Sequence, residues 1–266
     1  MSDSYPILPG AEPYAAAGSN GAHPERQSTG VALIHGFSGS PVSMRPLAEL
    51  LVLQGFRVDV PRLPGHGTHP KDMQHTRYAD WRAEVIASID RLSPHVARIV
   101  LVGLSMGGAL VVDVASSGER RVAGVVAINP QILDREGFTV KLAPLLEHVL
   151  PIAPASWAGL KKDDIAKPGV SEKAYDMIST AAGNSFVREL PRIREQLPQF
   201  PCPLIVARAP QDHSVPKENS LALLKLVPNA KELVLERSYH VATLDYDLEL
   251  LATRIGEFCD GLSPRN

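Results

Sequence analysis

Short apolar runs recur along this chain, separated by stretches whose apolar residues return every three or four positions. Val31-Ala32-Leu33-Ile34 opens the series and leads through His35-Gly36 into a glycine-punctuated loop, Phe37-Ser38-Gly39-Ser40-Pro41. Residues 44–54 carry Leu47, Leu50, Leu51 and Leu53 at helical spacing and stop at Gly55. Residues 56–61 read as a second strand. The stretch 78–92 gathers Trp81, Val85, Ile86 and Ile89 on one helical face. Then come 98–102, apolar on both sides as a buried parallel strand requires, a small-residue helix over 108–115, and a strand over 122–129. Residues 203–209 and 231–236 are later strands, with a helix at 220–226 between them and an amphipathic helix at 248–258 to close. Short buried strands alternating with helices predict an α/β fold, a mostly parallel sheet with helices on both faces.

The rhythm breaks twice. Residues 1–29 are rich in Pro, Gly, Ala and Ser, and Ala11-Glu12-Pro13-Tyr14 suits part of a hairpin. From Pro130 to about Phe200 the alternation stops for far longer than a crossover helix needs. That stretch holds an apolar, Pro-interrupted segment (Phe138, Leu142, Leu145, Leu146, Val149, Leu150, Ile152, Trp157), then a polar piece, Lys161-Lys162-Asp163-Asp164. Helical periodicity resumes over 186–198. The division expected is a core of 1–130 and 186–266 with a cap of 131–185 inserted between two strands; surface helices with no role at a site are the alternative.

Composition narrows the function classes. With 266 residues, 44% hydrophobic and 21% charged, the chain is an ordinary globular protein large enough for one α/β domain with an insertion. A net charge of −2 gives no electrostatic case for nucleic acid or an anionic membrane surface as partner. No apolar run is long enough to span a membrane, and no secretory leader is visible in Met1-Ser2-Asp3-Ser4-Tyr5-Pro6, so a cytoplasmic location is expected. Cys202 and Cys259 lie outside any metal or redox spacing and read as reduced, buried thiols, with a disulfide as the reading that sequence leaves open.

Gly103-Leu104-Ser105-Met106-Gly107 stands between the strand at 98–102 and the helix at 108–115. Strand, G-x-S-x-G, helix is the layout of a nucleophile elbow, in which a strained turn lifts a serine hydroxyl clear of the sheet. A serine hydroxyl needs a base within hydrogen-bond reach, and the base needs a carboxylate to orient it. Asp212 follows the strand at 203–209 and His240 follows the one at 231–236, in the order Ser, acid, His. Asp212 also suits a simple turn residue. Donors to a developing oxyanion are expected from the amides of Met106, where the helix dipole adds positive potential, and of Phe37 in the first loop, whose ring then borders the acyl site. His66, His69 and His75 fit no compact zinc spacing, so neither metal nor cofactor is called for.

These residues, with Leu33 to Gly39, Leu63-Pro64-Gly65-His66-Gly67, Asp212-His213-Ser214-Val215-Pro216 and Ser238-Tyr239-His240-Val241-Ala242-Thr243-Leu244-Asp245, make the chain resemble the bacterial carboxylesterase/monoacylglycerol lipase family of the α/β-hydrolase superfamily. The resemblance covers the chain from about Ile7 to the last helix and is weakest in the cap. It implies an α/β-hydrolase fold, Ser105 as nucleophile, His240 as base, Asp212 as its partner, Phe37 and Met106 as oxyanion donors, and no cofactor. The expected activity is hydrolysis of short- to medium-chain carboxylic esters, monoacylglycerols among them. The alternatives are an acyltransferase with the same triad and a non-catalytic binding module on the fold. An epoxide hydrolase or dehalogenase would need Asp where this chain has Ser105.

Overall fold

Apolar side chains on both faces of each central strand demand cover on both faces of the sheet, and the fold supplies it. The computed structural model of the protein describes residues 4–19, 23–134, 147 and 149–262. Its strands are β1 (Tyr14–Ala16), β2 (Thr29–Ile34), β3 (Arg57–Val60), β4 (Arg98–Leu104), β5 (Gly124–Ile128), β6 (Ile152–Pro154), β7 (Met177–Ser179), β8 (Leu204–Arg208) and β9 (Lys231–Val234). Its α-helices are α1 (Arg45–Leu53), α2 (Pro70–Met73), α3 (Tyr78–Leu92), α4 (Met106–Ser117), α5 (Thr180–Val187), α6 (Leu190–Gln196), α7 (Glu218–Leu226) and α8 (Leu248–Asp260).

Seven strands form one sheet in the order β1-β3-β2-β4-β5-β8-β9, parallel throughout except for β1. Alternate residues feed opposite cores. Ala32, Ile34, Leu101, Val125, Ala127 and Val206 pack under α3, α4 and α7; Val31, Leu33, Val100, Val102, Val126 and Ile128 pack under α1 and α8. The predicted strands and helices of the core therefore stand, with shifts of a residue or two at their ends.

Two local expectations change. Residues 14–16 are not part of a hairpin; they pair antiparallel with β3, more than forty positions away (Tyr14 opposite Val60), and close the sheet edge. The periodicity over 186–198 is not one helix either. α5 ends at Val187, α6 starts at Leu190 with Pro191 in its first turn, and residues 197–199 finish as a 3-10 turn. Proline fits only that first turn, so the apolar stripe runs on while the backbone breaks. Phe138, Leu142, Leu145 and Leu146 lie outside the described residues. Between β5 and β8 the described chain adds a small antiparallel sheet, β6 with β7.

A buried charge cluster fastens the helices behind the elbow. Asp113 of α4 is fully buried and accepts from the Tyr78 hydroxyl (2.8 Å), Arg82 Nε (3.1 Å) and both terminal nitrogens of Arg192 (2.8 and 2.9 Å). One carboxylate thus ties α3, α4 and α6 together. Stranding a fully buried partner costs about 3–5 kcal/mol, but Arg192 can turn to solvent, so we expect Asp113→Ala to cost about 2–3 kcal/mol. For a chain of this size that lowers Tm by roughly 5–10 °C in a thermal melt.

Candidate active site

β4 and α4 meet at Ser105, whose φ of 58° and ψ of −118° lie in a region L-residues rarely adopt. The turn is this tight only because its neighbours lack side chains: a Cβ at Gly103 would collide with the Gly107 carbonyl, and one at Gly107 with the Ile34 carbonyl. The turn is pinned by Ser105 N–H donating to Ile128 O (2.9 Å) and Ser105 O accepting from Gln131 N (3.2 Å). Met106 is the first residue of α4, so its N–H has no partner within the helix.

The loop after β2 lies against this elbow; a Cβ at Gly36 would sit 3.2 Å from Ser105 Cβ. His35 is buried and donates from Nδ1 to Gly36 O (2.9 Å) while Nε2 accepts from Leu63 N–H (3.1 Å), which fixes a neutral ring. Burial holds its pKa well below the usual 6.5. His66, from the Leu63-Pro64-Gly65-His66-Gly67 stretch, is buried likewise and pushed down to about 4. The Phe37 ring is backed by His66 and Trp81, with centroids 5.9 and 5.7 Å away. Among the described residues the Phe37 N–H donates to no protein group. His66, His69 and His75 do not converge: His69 caps α2 and stacks on Tyr5, and no group of three metal-ligating side chains forms among the described residues.

Asp212 and His240 come together. His240 Nδ1 lies 2.7 Å from Asp212 Oδ2, while Asp212 Oδ1 accepts from Ser214 N (2.8 Å) and Val215 N (2.7 Å). An ionised carboxylate only accepts, so Nδ1 carries the proton and Nε2 keeps its lone pair. Desolvation of His240 favours the neutral ring, but the Asp212 charge and hydrogen bond outweigh it and leave the pKa above 6.5. His240 and Ser105 line the same cavity.

That cavity has two lobes meeting at Phe37 and Ser105. One is apolar, walled by Phe37, Ala153, Trp157, Ile178, Phe186 and Val187. The other is polar, with Ser38, Lys161, Glu172, Asp176 and His240. Glu172 is partly buried, and desolvation pushes its carboxyl up to about 7 although His240 pulls it down.

Sequence reasoning missed three of the residues that shape this site. Asn129, buried after β5 at φ 43°, donates from Nδ2 to His240 O (2.8 Å) and accepts from Ala209 N (2.8 Å), linking the base loop to the end of β8. Asn at a strand end is the one local signal, since Asn tolerates positive φ better than most residues. Glu172 and Asp164 had no local signal.

The profile of a family described as "Alpha/beta hydrolase family" matches residues 31–254. The chain is 36% identical over 265 residues to a thermostable monoacylglycerol lipase of Bacillus sp. (strain H-257), covering 97% of this chain and 98% of that one. It is 26% identical to a carboxylesterase of Bacillus subtilis (strain 168) over 87% of this chain and 92% of that one. Among solved structures, one of two metagenome-derived lipolytic enzymes superposes with a TM-score of 0.85 at 34% identity, over 96% of this chain and 99% of the other.

Proposed function

From a chain that belongs to the alpha/beta hydrolase family, we propose a serine esterase that cleaves carboxylic esters, monoacylglycerols among them, through an acyl-enzyme on Ser105. The observation that carries this reading is the cavity divided at Ser105, with an apolar lobe on one side and a polar lobe on the other. A monoacylglycerol has that division: a fatty chain and a diol joined at the ester carbonyl. The apolar lobe takes the acyl chain and the polar lobe takes the glycerol.

His240 Nε2 removes the Ser105 proton as Oγ attacks, and Asp212 stabilises the imidazolium. The oxyanion rests on the Phe37 and Met106 amides, with the α4 dipole adding to the second. His240 then protonates the leaving glycerol, and water admitted from the polar lobe releases the fatty acid. The described part of residues 131–185 acts as the cap and supplies Ala153, Trp157 and Ile178 to the apolar lobe. We place the protein in the cytoplasm, where its two buried thiols, Cys202 and Cys259, stay reduced.

Product analysis tests the proposal. Incubation with a monoacylglycerol should release free fatty acid and glycerol in equal amounts, and added alcohols should not divert the acyl group. Accumulation of a new ester with the added alcohol would instead establish an acyltransferase. The acyl lobe gives a sharper measurement. Among the described residues a Cβ on Gly183 of α5 would meet only the Phe37 ring, 3.5 Å from Cζ, so a longer side chain would enter the lobe. Gly183→Leu is expected to lower kcat/KM for octanoate and decanoate esters by about 10- to 200-fold, the range for steric exclusion in an apolar pocket. Acetate ester turnover should stay near wild type, because leucine also favours the helix and the fold is not weakened. Equal losses across the chain-length series would place the acyl group elsewhere.

A further inference from the structure

Resting on the catalytic reading above, we propose that Asp164 is a positioning residue that braces the loop bearing Asp212 against the loop bearing His240. It belongs to the stretch Lys161-Lys162-Asp163-Asp164, which the sequence marks only as a polar piece of the insertion. In the structure that stretch runs between the two loops. Asp164 Oδ2 accepts from the His213 backbone N–H at 2.9 Å and Oδ1 from His213 Nδ1 at 2.8 Å. Its backbone carbonyl accepts from Val241 N–H at 3.1 Å. His213 is the residue after the acid, and Val241 is the residue after the base. One residue therefore holds the immediate neighbours of both ends of the 2.7 Å Asp212–His240 bond.

Flanking contacts give the brace a second point of attachment on each side. Lys161 N–H donates to Ser214 Oγ (3.3 Å) on the acid loop. Ala166 and Lys167 N–H donate to Asp245 (2.6 and 3.0 Å), which also accepts Tyr239 N–H (2.9 Å) on the base loop. The rings of His213 and Tyr239 meet edge-on with centroids 4.6 Å apart, so the two loops also touch through the residue that Asp164 grips.

The Asp164 side chain is only 2% exposed. An ionised carboxylate that deep is costly unless its oxygens are occupied, and here both accept from a single histidine. A tie between loops needs no charge, so the carboxylate has a second effect. Among the described residues the charges of Asp212, Glu172 and Asp164 each favour the His240 imidazolium. Imidazolium is the state His240 reaches while Ser105 is attacking, so Asp164 acts on the base by geometry and by field without touching the substrate.

The test compares wild type, Asp164→Asn and Asp164→Ala in the full chain. It measures kcat, KM and the pH profile on a p-nitrophenyl ester, the rate of Ser105 labelling by a fluorophosphonate, and the thermal melt. Asp164→Ala is expected to lose about 10²-fold in kcat and in labelling rate, the scale of a misplaced catalytic group, with KM little changed. Asp164→Asn keeps an acceptor for His213, so it should recover most of kcat while the acidic limb of its kcat/KM profile moves to lower pH. An unchanged kcat in Asp164→Ala, or a loss confined to KM, overturns the proposal. If Asp164→Ala does not fold, Asp164→Asn decides: wild-type kcat with an unmoved limb overturns it. Failure of the wild-type protein to label at Ser105 would overturn the catalytic reading as well, whereas normal labelling beside indifferent variants overturns only the role of Asp164.

Discussion

Ser105→Ala is expected to cut p-nitrophenyl ester turnover by about 10⁴- to 10⁶-fold, the range seen when the nucleophile of a triad is deleted. The fold should survive, because the elbow is held by main-chain bonds from Ser105 to Ile128 and Gln131 that alanine keeps. Glycine at the same position makes a second, opposite measurement possible. At φ 58° the serine backbone is strained, at a cost of about 1–3 kcal/mol that glycine does not bear. Glycine gives back about 0.5–1 kcal/mol through the freedom it has in the unfolded chain. The net gain is about 1 kcal/mol, so Ser105→Gly should melt roughly 2–4 °C above wild type while being equally inactive. Retained turnover in Ser105→Ala would sink the nucleophile assignment; a Ser105→Gly protein no more stable than Ser105→Ala would show that the elbow is unstrained.

The same elbow explains how much of the site can be read from the chain. A strand that must be buried on both faces has to be apolar throughout, and the residue after it must leave the sheet. Ser105, Phe37 and Asp212 each follow such a run, and His240 follows the half-exposed edge strand β9, so their positions are local properties of the sequence. What holds them is not. Asp164 reaches His213 across 49 residues and Asn129 reaches His240 across 111, and neither pairing leaves a periodicity or a spacing to find. The break between α5 and α6 was hidden for a different reason. Ile193 and Leu197 continue the apolar stripe begun by Phe186 and Leu190, because both helices face one core, while Pro191 interrupts only the backbone. The lobes of the cavity lie furthest from sequence reading, since their walls come from residues on five or more separate segments.

Asp212→Asn isolates the contribution of the acid from its geometry, and the hydrogen bonds around Asp212 predict how. Ser214 and Val215 N–H both point at Oδ1, so an asparagine must place its oxygen there and turn its NH₂ toward His240. An NH₂ can only donate, which forces His240 Nδ1 to accept and moves the ring proton to Nε2. The lone pair that should receive the Ser105 proton is then gone. We expect kcat/KM to fall by about 10⁴-fold, the scale of a base locked in the wrong tautomer. Asp212→Ala leaves the ring free to choose its tautomer and should lose no more than this. The pH profile carries the sign. On the proposed mechanism the base is neutral His240, so kcat/KM is expected to climb with pH through a pKa above 6.5, where the Asp212 charge has overcome desolvation. Without that charge desolvation dominates, the pKa drops, and the acidic limb of the residual activity moves to lower pH. An Asp212→Asn protein that keeps more than a tenth of wild-type kcat/KM, or whose limb stays in place, would remove Asp212 from the catalytic machinery.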